Sequence, residues 1–362
     1  MGGSDIWPAG DIRGNKNPSL EGGLPYFEKT LEKSWVNVVA LVNKSGTAGL
    51  EWKDLEPLSN AGVASKWTIT AVSEDGTSAK AAENVAKAVD QVREKFPGMK
   101  MDMIRDIIFS TATDIGALGT DDIFGIGLLN GAKALGGPVY INNKIVVPTS
   151  KTWEFSNYIR GGKLEKEGAG KLILKGDTGF YSWQNTEINE GILDIRGRHS
   201  SGIKIGSAGT LITNSNTKIG KDVINKGILK NVGKGAIIEG NYTAEYGSVT
   251  EAEIGTKLIV KGTVKIDGRE RNQALGSTLR VLNNNYVTAA PTTATVIEAE
   301  KGIEGKFEKV ETDELINGKV ENTENSIKAT ISRKNVEDYV NNLSDSDEMQ
   351  KNTAKNVEVS FK

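Results

Sequence analysis

The 362-residue sequence contains no cysteine, a single histidine and only eight prolines. Without cysteine, disulfides, thiolate metal sites and cysteine nucleophiles are excluded. One histidine, His199, leaves few histidine-based metal sites or acid/base schemes available. We therefore expect neither a metal nor another cofactor. No apolar run approaches the length of a membrane-spanning helix, so we expect no helical insertion of this chain into a bilayer.

The sequence also has no large excess of positive or negative charge. The chain carries 45 Lys and Arg residues against 47 Asp and Glu residues, a formal net charge of −2. This balance gives no reason to expect a nucleic-acid partner or an anionic membrane. Glycine, by contrast, is abundant at 42 residues and predicts many tight turns. The length allows two or three domains.

A Gly-Thr-Ser turn at Gly76–Ser78 is followed directly by a helical pattern from Ala79 to Phe96. Apolar residues recur at helical spacing in this run, and the pattern stops at Pro97. A serine at a helix N-terminus lies beside unpaired backbone N–H groups and the positive end of the helix dipole, which favour a developing anion. The turn therefore predicts that Ser78 occupies the position of a catalytic nucleophile. The alternative is a plain helix N-cap, for which Ser and Thr are common.

The segments around this turn occur in a recognisable order. An apolar strand covers Trp35–Leu41, a Ser-Asn-Ala-Gly turn covers Ser59–Gly62, and a second amphipathic helical run begins at Met101. A Gly-Ile-Gly-Leu-Leu-Asn segment, Gly125–Asn130, closes the series. From about residue 9 to residue 137 this order resembles the C-terminal part of a subtilisin-like serine peptidase domain. The resemblance implies that Ser78 stands at the nucleophile position.

Two departures from that family concern catalysis. The resemblance places Asp11 where the family has its oxyanion-hole asparagine, and a carboxylate there repels charge that an amide N–H stabilises by roughly 3 kcal/mol. The family's catalytic Asp and His precede that position, and the sequence begins too late to contain them. His199, flanked by Arg196 and Arg198, is predicted to be a solvated loop residue and not a base. We therefore expect no proteolysis by this chain.

From Pro138 onward a repeat appears. Gly-x-Leu units recur, and those at Gly191, Gly209 and Gly227 are 18 residues apart. Short alternating apolar and polar segments follow each unit. A repeat of about 18 to 21 residues accommodates three short strands and three turns, the unit of a parallel β-helix. Residues 163–262 would then form roughly five coils. An ordinary β-sandwich is the alternative, although its hairpin dipeptides are scarce here.

The repeat carries a second resemblance. The segments Gly168–Gly176 and Thr186–Ile195 look like the passenger repeat of bacterial autotransporters, and Val296–Ala299 with Gly302–Phe307 resembles closing coils. A peptidase followed by this β-helix is the arrangement of subtilisin-like autotransporter proteases of Gram-negative bacteria. The resemblance implies secretion to the cell surface through the outer membrane. It also implies protein or peptide substrates, including host surface proteins.

Together these patterns predict an incomplete α/β subtilisin-like domain followed by an all-β right-handed parallel β-helix. We expect the peptidase part in residues 1–137, the β-helix passenger in residues 138–334, and a polar linker toward an absent translocator barrel in residues 335–362. The first dozen residues lack the character of a secretory signal, and residues 1–4 are predicted to be a leader. A peptidase sheet without its first strands would expose an apolar edge, so residues 13–137 are predicted to be poorly stable. A non-enzymatic β-helix stalk or adhesin is the alternative function.

Overall fold

The computed structural model describes residues 5–43, 52–181, 184–267, 276–283 and 288–360. It divides into two compact units. The first consists of Met1–Ile141 with Lys151–Arg160, and the second of Asn142–Ser150 with Gly161–Lys362. Residues 1–4, the predicted leader, lie outside the described ranges.

The elements up to residue 134 are four strands and three helices. They are β1 (Asp5–Pro8), β2 (Trp35–Asn43), β3 (Leu55–Pro57), β4 (Thr68–Val72), α1 (Ser78–Lys95), α2 (Met101–Thr111) and α3 (Gly131–Ala134). Short 3-10 helices cover Leu24–Tyr26, Lys29–Lys33, Trp52–Asp54 and Gly62–Trp67.

The remaining elements are mostly short strands. They are β5 (Asn143–Val146), β6 (Thr152–Phe155), β7 (Ile159–Gly161), β8 (Leu164–Glu167), β9 (Lys171–Leu174), β10 (Thr178–Phe180), β11 (Thr186–Ile195), β12 (Arg198–His199), β13 (Ile203–Thr213), β14 (Lys218–Ile219), β15 (Val223–Asn225), β16 (Ile228–Asn231), β17 (Lys234–Ile238), β18 (Tyr242–Ala244), β19 (Val249–Glu253), β20 (Lys257–Val260), β21 (Val264–Ile266), β22 (Thr278–Leu282), β23 (Thr292–Ala299), β24 (Ile303–Gly305), β25 (Lys309–Glu311), β26 (Ile316–Asn322) and β27 (Ser326–Arg333), followed by α4 (Val336–Asn341) and α5 (Glu348–Ser360).

The first unit is organised around β2. Eight of its nine residues are buried, as expected of a strand that is covered on both faces. Strand β2 pairs in parallel with β1 and β4 and antiparallel with β3. The segment after residue 125 runs beside β4, where the amides of Ile126 and Leu129 donate to the carbonyls of Thr68 and Thr70.

Strand β1 was not predicted from the sequence; its residues Asp5–Pro8 pair with Trp35–Val38 in the sheet. Only four residues long and ending in proline, this edge strand carries too little alternation to be recognised from sequence. Helices α1 and α2 lie where the apolar periodicity predicted them. The buried face of α1 includes Val85, Val89 and Val92.

The second unit is a stack of coils whose parallel strands form three columns. One column runs from β5 through β8 and the first parts of β11 and β13 to β15, β18, β21 and β24. A second runs from β9 through the later parts of β11 and β13 to β16, β19, β22 and β25. The third contains β10, β12, β14, β17, β20 and β23. This arrangement is compatible with a parallel β-helix.

Register within the stack follows the 18-residue spacing of the repeat. Ile192 pairs with Thr210, and Thr210 pairs with Ile228. Leu193, Leu211 and Leu229 are fully buried at 0% exposure, so equivalent leucines of successive coils fill the interior. Polar side chains are also enclosed: the Tyr242 hydroxyl lies 2.6 Å from Thr250 Oγ1 and accepts from Asn225 Nδ2 at 3.1 Å.

The C-terminal end of the second unit differs from the coils. Strand β27 pairs antiparallel with β23, and β26 pairs antiparallel with β27. Residues 335–362, for which a polar linker was predicted, contain the helices α4 and α5. The low hydrophobicity of this segment suggested a linker, but Ala354 and Glu358 of α5 are buried. Within the described ranges, no helix has the length and apolar character needed to cross a membrane.

Candidate active site

Ser78 is the first residue of α1, and Thr77 is the N-cap of that helix. The Thr77 Oγ1 accepts a hydrogen bond from the Lys80 amide at 3.2 Å. The capping role that was the alternative for Ser78 therefore belongs to its neighbour. Ser78 occupies the next position, where its N–H group is one of the donors without an intrahelical partner and the dipole is positive.

Asp11 lies directly at this helix start. Its Oδ1 accepts a hydrogen bond from the Ser78 amide at 2.7 Å, across 67 positions of sequence. The Asp11 side chain is otherwise exposed. The structure thus brings together the two site residues that the sequence singled out. The carboxylate of Asp11 accepts from the Ser78 amide, a donor that could otherwise bind an anion.

The loop that carries Asp11 is held from both sides. The Ala9 amide donates to the Val38 carbonyl at 2.7 Å, which fixes the loop to β2. On the other side, Ser59 Oγ donates to the Ile12 carbonyl at 3.2 Å. Ser59 begins the Ser-Asn-Ala-Gly turn noted in the sequence, so that turn positions the Asp11 loop.

A second carboxylate, Asp75, accepts hydrogen bonds at the same helix start. Its Oδ1 lies 2.8 Å from Thr77 Oγ1 and 2.9 Å from the Thr77 amide. These two bonds from Thr77 lower the pKa of Asp75. Two acidic side chains therefore face the positive end of α1, a favourable arrangement for the helix and an unfavourable one for an incoming anion.

The Ser78 side chain is buried, at 2% exposure. Within the ranges that the structure describes, no hydrogen bond joins its hydroxyl to a histidine, lysine or carboxylate. A serine hydroxyl of ordinary pKa is a poor nucleophile unless a base accepts its proton. Among the described residues, no such base is hydrogen-bonded to the Ser78 hydroxyl.

His199 is not a solvated loop residue, and that prediction was wrong. It lies in β12 at 0% exposure, while Arg198 beside it points outward. Its Nδ1 is 2.8 Å from Thr178 Oγ1, and its Nε2 is 3.0 Å from Thr186 Oγ1. Burial lowers its pKa to about 3. Both nitrogens of this enclosed imidazole are thus bonded to hydroxyl groups of the second unit. Strand alternation placed it inside, but a two-residue strand gives little periodic signal.

A further buried cation, Lys166, was not recognised from the sequence. Its side chain is at 0% exposure in β8, and Nζ donates to the carbonyls of Glu167, Gly168 and Glu190 at 2.9, 2.6 and 2.9 Å. Burial lowers its pKa to about 8. The signal was available, since Lys166 has the same strand parity as the buried Leu164. Over the described residues, no cluster of three or more His, Asp or Glu side chains is placed to hold a metal.

The chain is similar in sequence to several known proteins. No family model matches it. It is 27% identical over 304 residues to the Neisserial autotransporter lipoprotein NalP of Neisseria meningitidis serogroup B, covering 74% of this chain and 27% of that protein. It is 31% identical over 175 residues to an extracellular serine protease of Serratia marcescens, covering 38% of this chain and 16% of the protease. Serotype-specific antigen 1 of Mannheimia haemolytica is 25% identical over 215 residues, which are 53% of this chain and 22% of the antigen.

These relatives confirm the resemblance to serine protease autotransporters that the sequence motifs indicated. The chain spans only about a quarter or less of the length of each of them, between 16% and 27%.

Proposed function

We propose that this chain is a fragment of a secreted subtilisin-like serine endopeptidase autotransporter. The first unit would be the C-terminal part of the peptidase domain, and the coils of the second unit a right-handed parallel β-helix passenger. The parent protein would act at or outside the outer membrane of a Gram-negative bacterium on protein or peptide substrates. The 362-residue chain by itself would not hydrolyse peptide bonds.

One observation carries this proposal: the hydrogen bond from the Ser78 amide to Asp11 Oδ1 at 2.7 Å. The family resemblance assigns these two residues to the nucleophile and the oxyanion hole, which must adjoin each other. Their contact across the fold supports that assignment. Its chemistry supports loss of activity, because a carboxylate already occupies a donor at which negative charge would develop.

Among the described residues no base is hydrogen-bonded to the Ser78 hydroxyl, which also supports the loss of activity. His199 is the only histidine of the chain, and its ring is enclosed in the second unit with hydroxyl partners. General-base assistance typically contributes 10² to 10⁴ in rate, so a serine without it reacts very slowly.

A fluorophosphonate serine-hydrolase probe tests this proposal on the full chain. We expect no labelling of the wild type, the Ser78→Ala variant or the Asp11→Asn variant. An active serine endopeptidase serves as the positive control for the probe. Ser110→Ala is the matched control variant, since Ser110 lies in the same unit with its hydroxyl bonded to the Ile107 carbonyl.

Two labelling results would contradict the proposal in different ways. Labelling of wild type and Ser110→Ala that is lost in Ser78→Ala would mean that Ser78 is activated. Labelling that appears only in Asp11→Asn would mean that a base exists and that Asp11 alone suppresses the chemistry.

A non-enzymatic β-helix stalk or adhesin is the second candidate. The regular stack of the second unit favours it, since equivalent residues such as Ile192, Thr210 and Ile228 stay in register over successive coils. The gene upstream of Met1 distinguishes the two. Asp-Thr-Gly and His-Gly-Thr motifs in a continuous reading frame would favour the protease parent, and their absence would favour the stalk.

A further inference from the structure

The two C-terminal helices form a hairpin that is anchored to the end of β27. Arg333 Nη1 and Nη2 donate to the two carboxylate oxygens of Glu358 at 2.7 and 2.9 Å. Glu358 Oε2 also accepts from the Val336 amide at 2.9 Å, at the start of α4. A bidentate ion pair whose side chains are only 10–11% exposed holds this hairpin, residues 335–360, in a defined position.

The hairpin leaves an apolar groove uncovered. Its volume is about 550 Å³, and its apolar lining comes from both helices and the connection between them: Val336, Val340, Leu343, Met349, Ala354 and Val357. Leu343 is 46% exposed and Met349 73% exposed. Large apolar side chains gathered on one concave surface mark a site of interaction more than isolated exposed residues do.

The hairpin is also acidic. Asp345 lines the groove, and Glu337, Asp338, Asp347 and Glu348 are exposed or half-buried on the same hairpin. Against these five carboxylates the described part of the hairpin has two lysines, Lys351 and Lys355. An apolar groove on an acidic hairpin is complementary to an apolar helix face flanked by basic residues.

We propose that this groove docks a basic amphipathic helix of another protein, with leucine-like side chains in the groove and lysine or arginine opposite the carboxylates. Insertion of a helix into a groove between helices uses anchors at every third or fourth residue. Helix α5 has 13 residues and is therefore roughly 20 Å long, enough for several such anchors.

A second copy of this chain fits the groove less well. A symmetric dimer would place the same surface of both copies face to face. The exposed carboxylates of one hairpin, Asp345 at the groove among them, would then lie near those of the other, and like charges across an interface are unfavourable. The charge of the hairpin therefore selects a cationic partner over self-association.

Fluorescence anisotropy of the full chain with a model helix tests the proposal. The probe is a fluorescein-labelled 18-residue peptide of leucine and lysine in an amphipathic helical order. A peptide of the same composition with leucine spread around the helix, and an amphipathic leucine–glutamate peptide, are the controls. We expect one-to-one binding of the first peptide alone, weakened by added salt.

Variants locate the binding surface. Leu343→Gln and Met349→Gln should each raise the Kd at least about tenfold, because each replaces a large apolar side chain that lines the groove. Leu315→Gln is the matched control, since Leu315 is 41% exposed and does not line the groove. All three positions are exposed, so the Tm should stay within a few degrees of the wild type.

Several results would overturn the proposal. They are the absence of peptide binding, equal binding of the leucine–glutamate peptide, and binding that Leu343→Gln and Met349→Gln leave unchanged. A concentration-dependent dimer that both variants abolish would assign the groove to a second copy instead. Groove-dependent binding to uncharged phosphatidylcholine vesicles, without peptide binding, would assign it to lipid.

Discussion

Lys166 and His199 are fully enclosed in the coils of the second unit, and their surroundings compensate for burial in different ways. Lys166 retains hydrogen-bond acceptors for its ammonium group, the three carbonyls of Glu167, Gly168 and Glu190. His199 is surrounded by hydroxyl groups and has no charged partner among the described residues. The neutral imidazole is therefore the form that the fold accepts, in keeping with its pKa of about 3.

This burial makes stability depend on pH. The unfolded chain binds a proton at His199 below a pKa near 6.5, whereas the folded chain does so only near 3. Between these values the unfolded state holds more protons, so the free energy of unfolding falls as pH decreases. From pH 7.5 to 5.0 the loss from His199 should be about 2 kcal/mol. Urea unfolding at the two pH values measures it.

Carboxylates with lowered pKa values, such as Asp75 and Glu311, also destabilise the fold as they take up protons. The comparison with His199→Asn isolates the histidine, because asparagine can bond to the same hydroxyls without titrating. The variant should lose about 2 kcal/mol less than wild type over this range. Identical losses in the two proteins would show that His199 is not buried as a neutral group.

At the scale of elements, the closing segment of the first unit depends on Gly127. Its φ is +136°, and a Cβ there would lie 2.5 Å from the Thr113 carbonyl oxygen. The adjacent Leu128 exchanges two 2.8 Å hydrogen bonds with Thr113, so the contact cannot relax without breaking that pair. Gly127→Ala should lower the free energy of unfolding by more than about 2 kcal/mol. Urea denaturation followed by tryptophan fluorescence provides the measurement.

Gly119→Ala is the matched control for this substitution. Gly119 also has a positive φ, +82°, but no atom lies within 4 Å of its Cβ position. That variant should lose only about 1 kcal/mol, the cost of the left-handed backbone alone. Equal losses at both positions would mean that the close approach to Thr113 contributes nothing.

The elements also show how far sequence reasoning reaches. Long periodic segments such as β2 and α1 were predicted near their observed bounds, because many residues share one pattern. The coils were predicted because Gly191 and Gly209 recur at the spacing with which their strands pair. Strand β1 and the two C-terminal helices were missed, since short or polar segments gain their structure from tertiary contacts.

The sequence singled out two residues of the candidate site, but it did not predict how they are arranged. The family resemblance singled out Ser78 and Asp11, and the structure joins them by one hydrogen bond. That Asp11 would accept this bond from the Ser78 amide, and that Thr77 would be the cap, depends on loop positions that the sequence does not encode locally. The enclosure of His199 likewise required knowing the face on which its coil places each residue.

For the molecule as a whole, the two units stabilise their sheets differently. Each inner strand of the coils, such as β19, pairs with a neighbour on both sides. In the first unit, β1 pairs only with β2 among the described residues, and Trp7 on this edge is 39% exposed. Stacked coils add stability through successive interfaces, whereas a small sheet with an uncovered edge opens more readily.

Hydrogen exchange should reveal this difference. We expect residues 13–137 to be less protected than the coils of residues 163–262. The protection factors of the best-protected amides should differ by about tenfold or more, which corresponds to about 1.4 kcal/mol in opening free energy. The matched strands are β4 and β19, each five residues long with a buried centre. Because both are measured in the same intact chain, differences in solvent and temperature cancel.

Protection of β4 equal to that of β19 would mean that the open edge at β1 does not weaken the first unit. The predicted low stability of the peptidase-like part would then be wrong, although the catalytic argument from Asp11 would be unaffected.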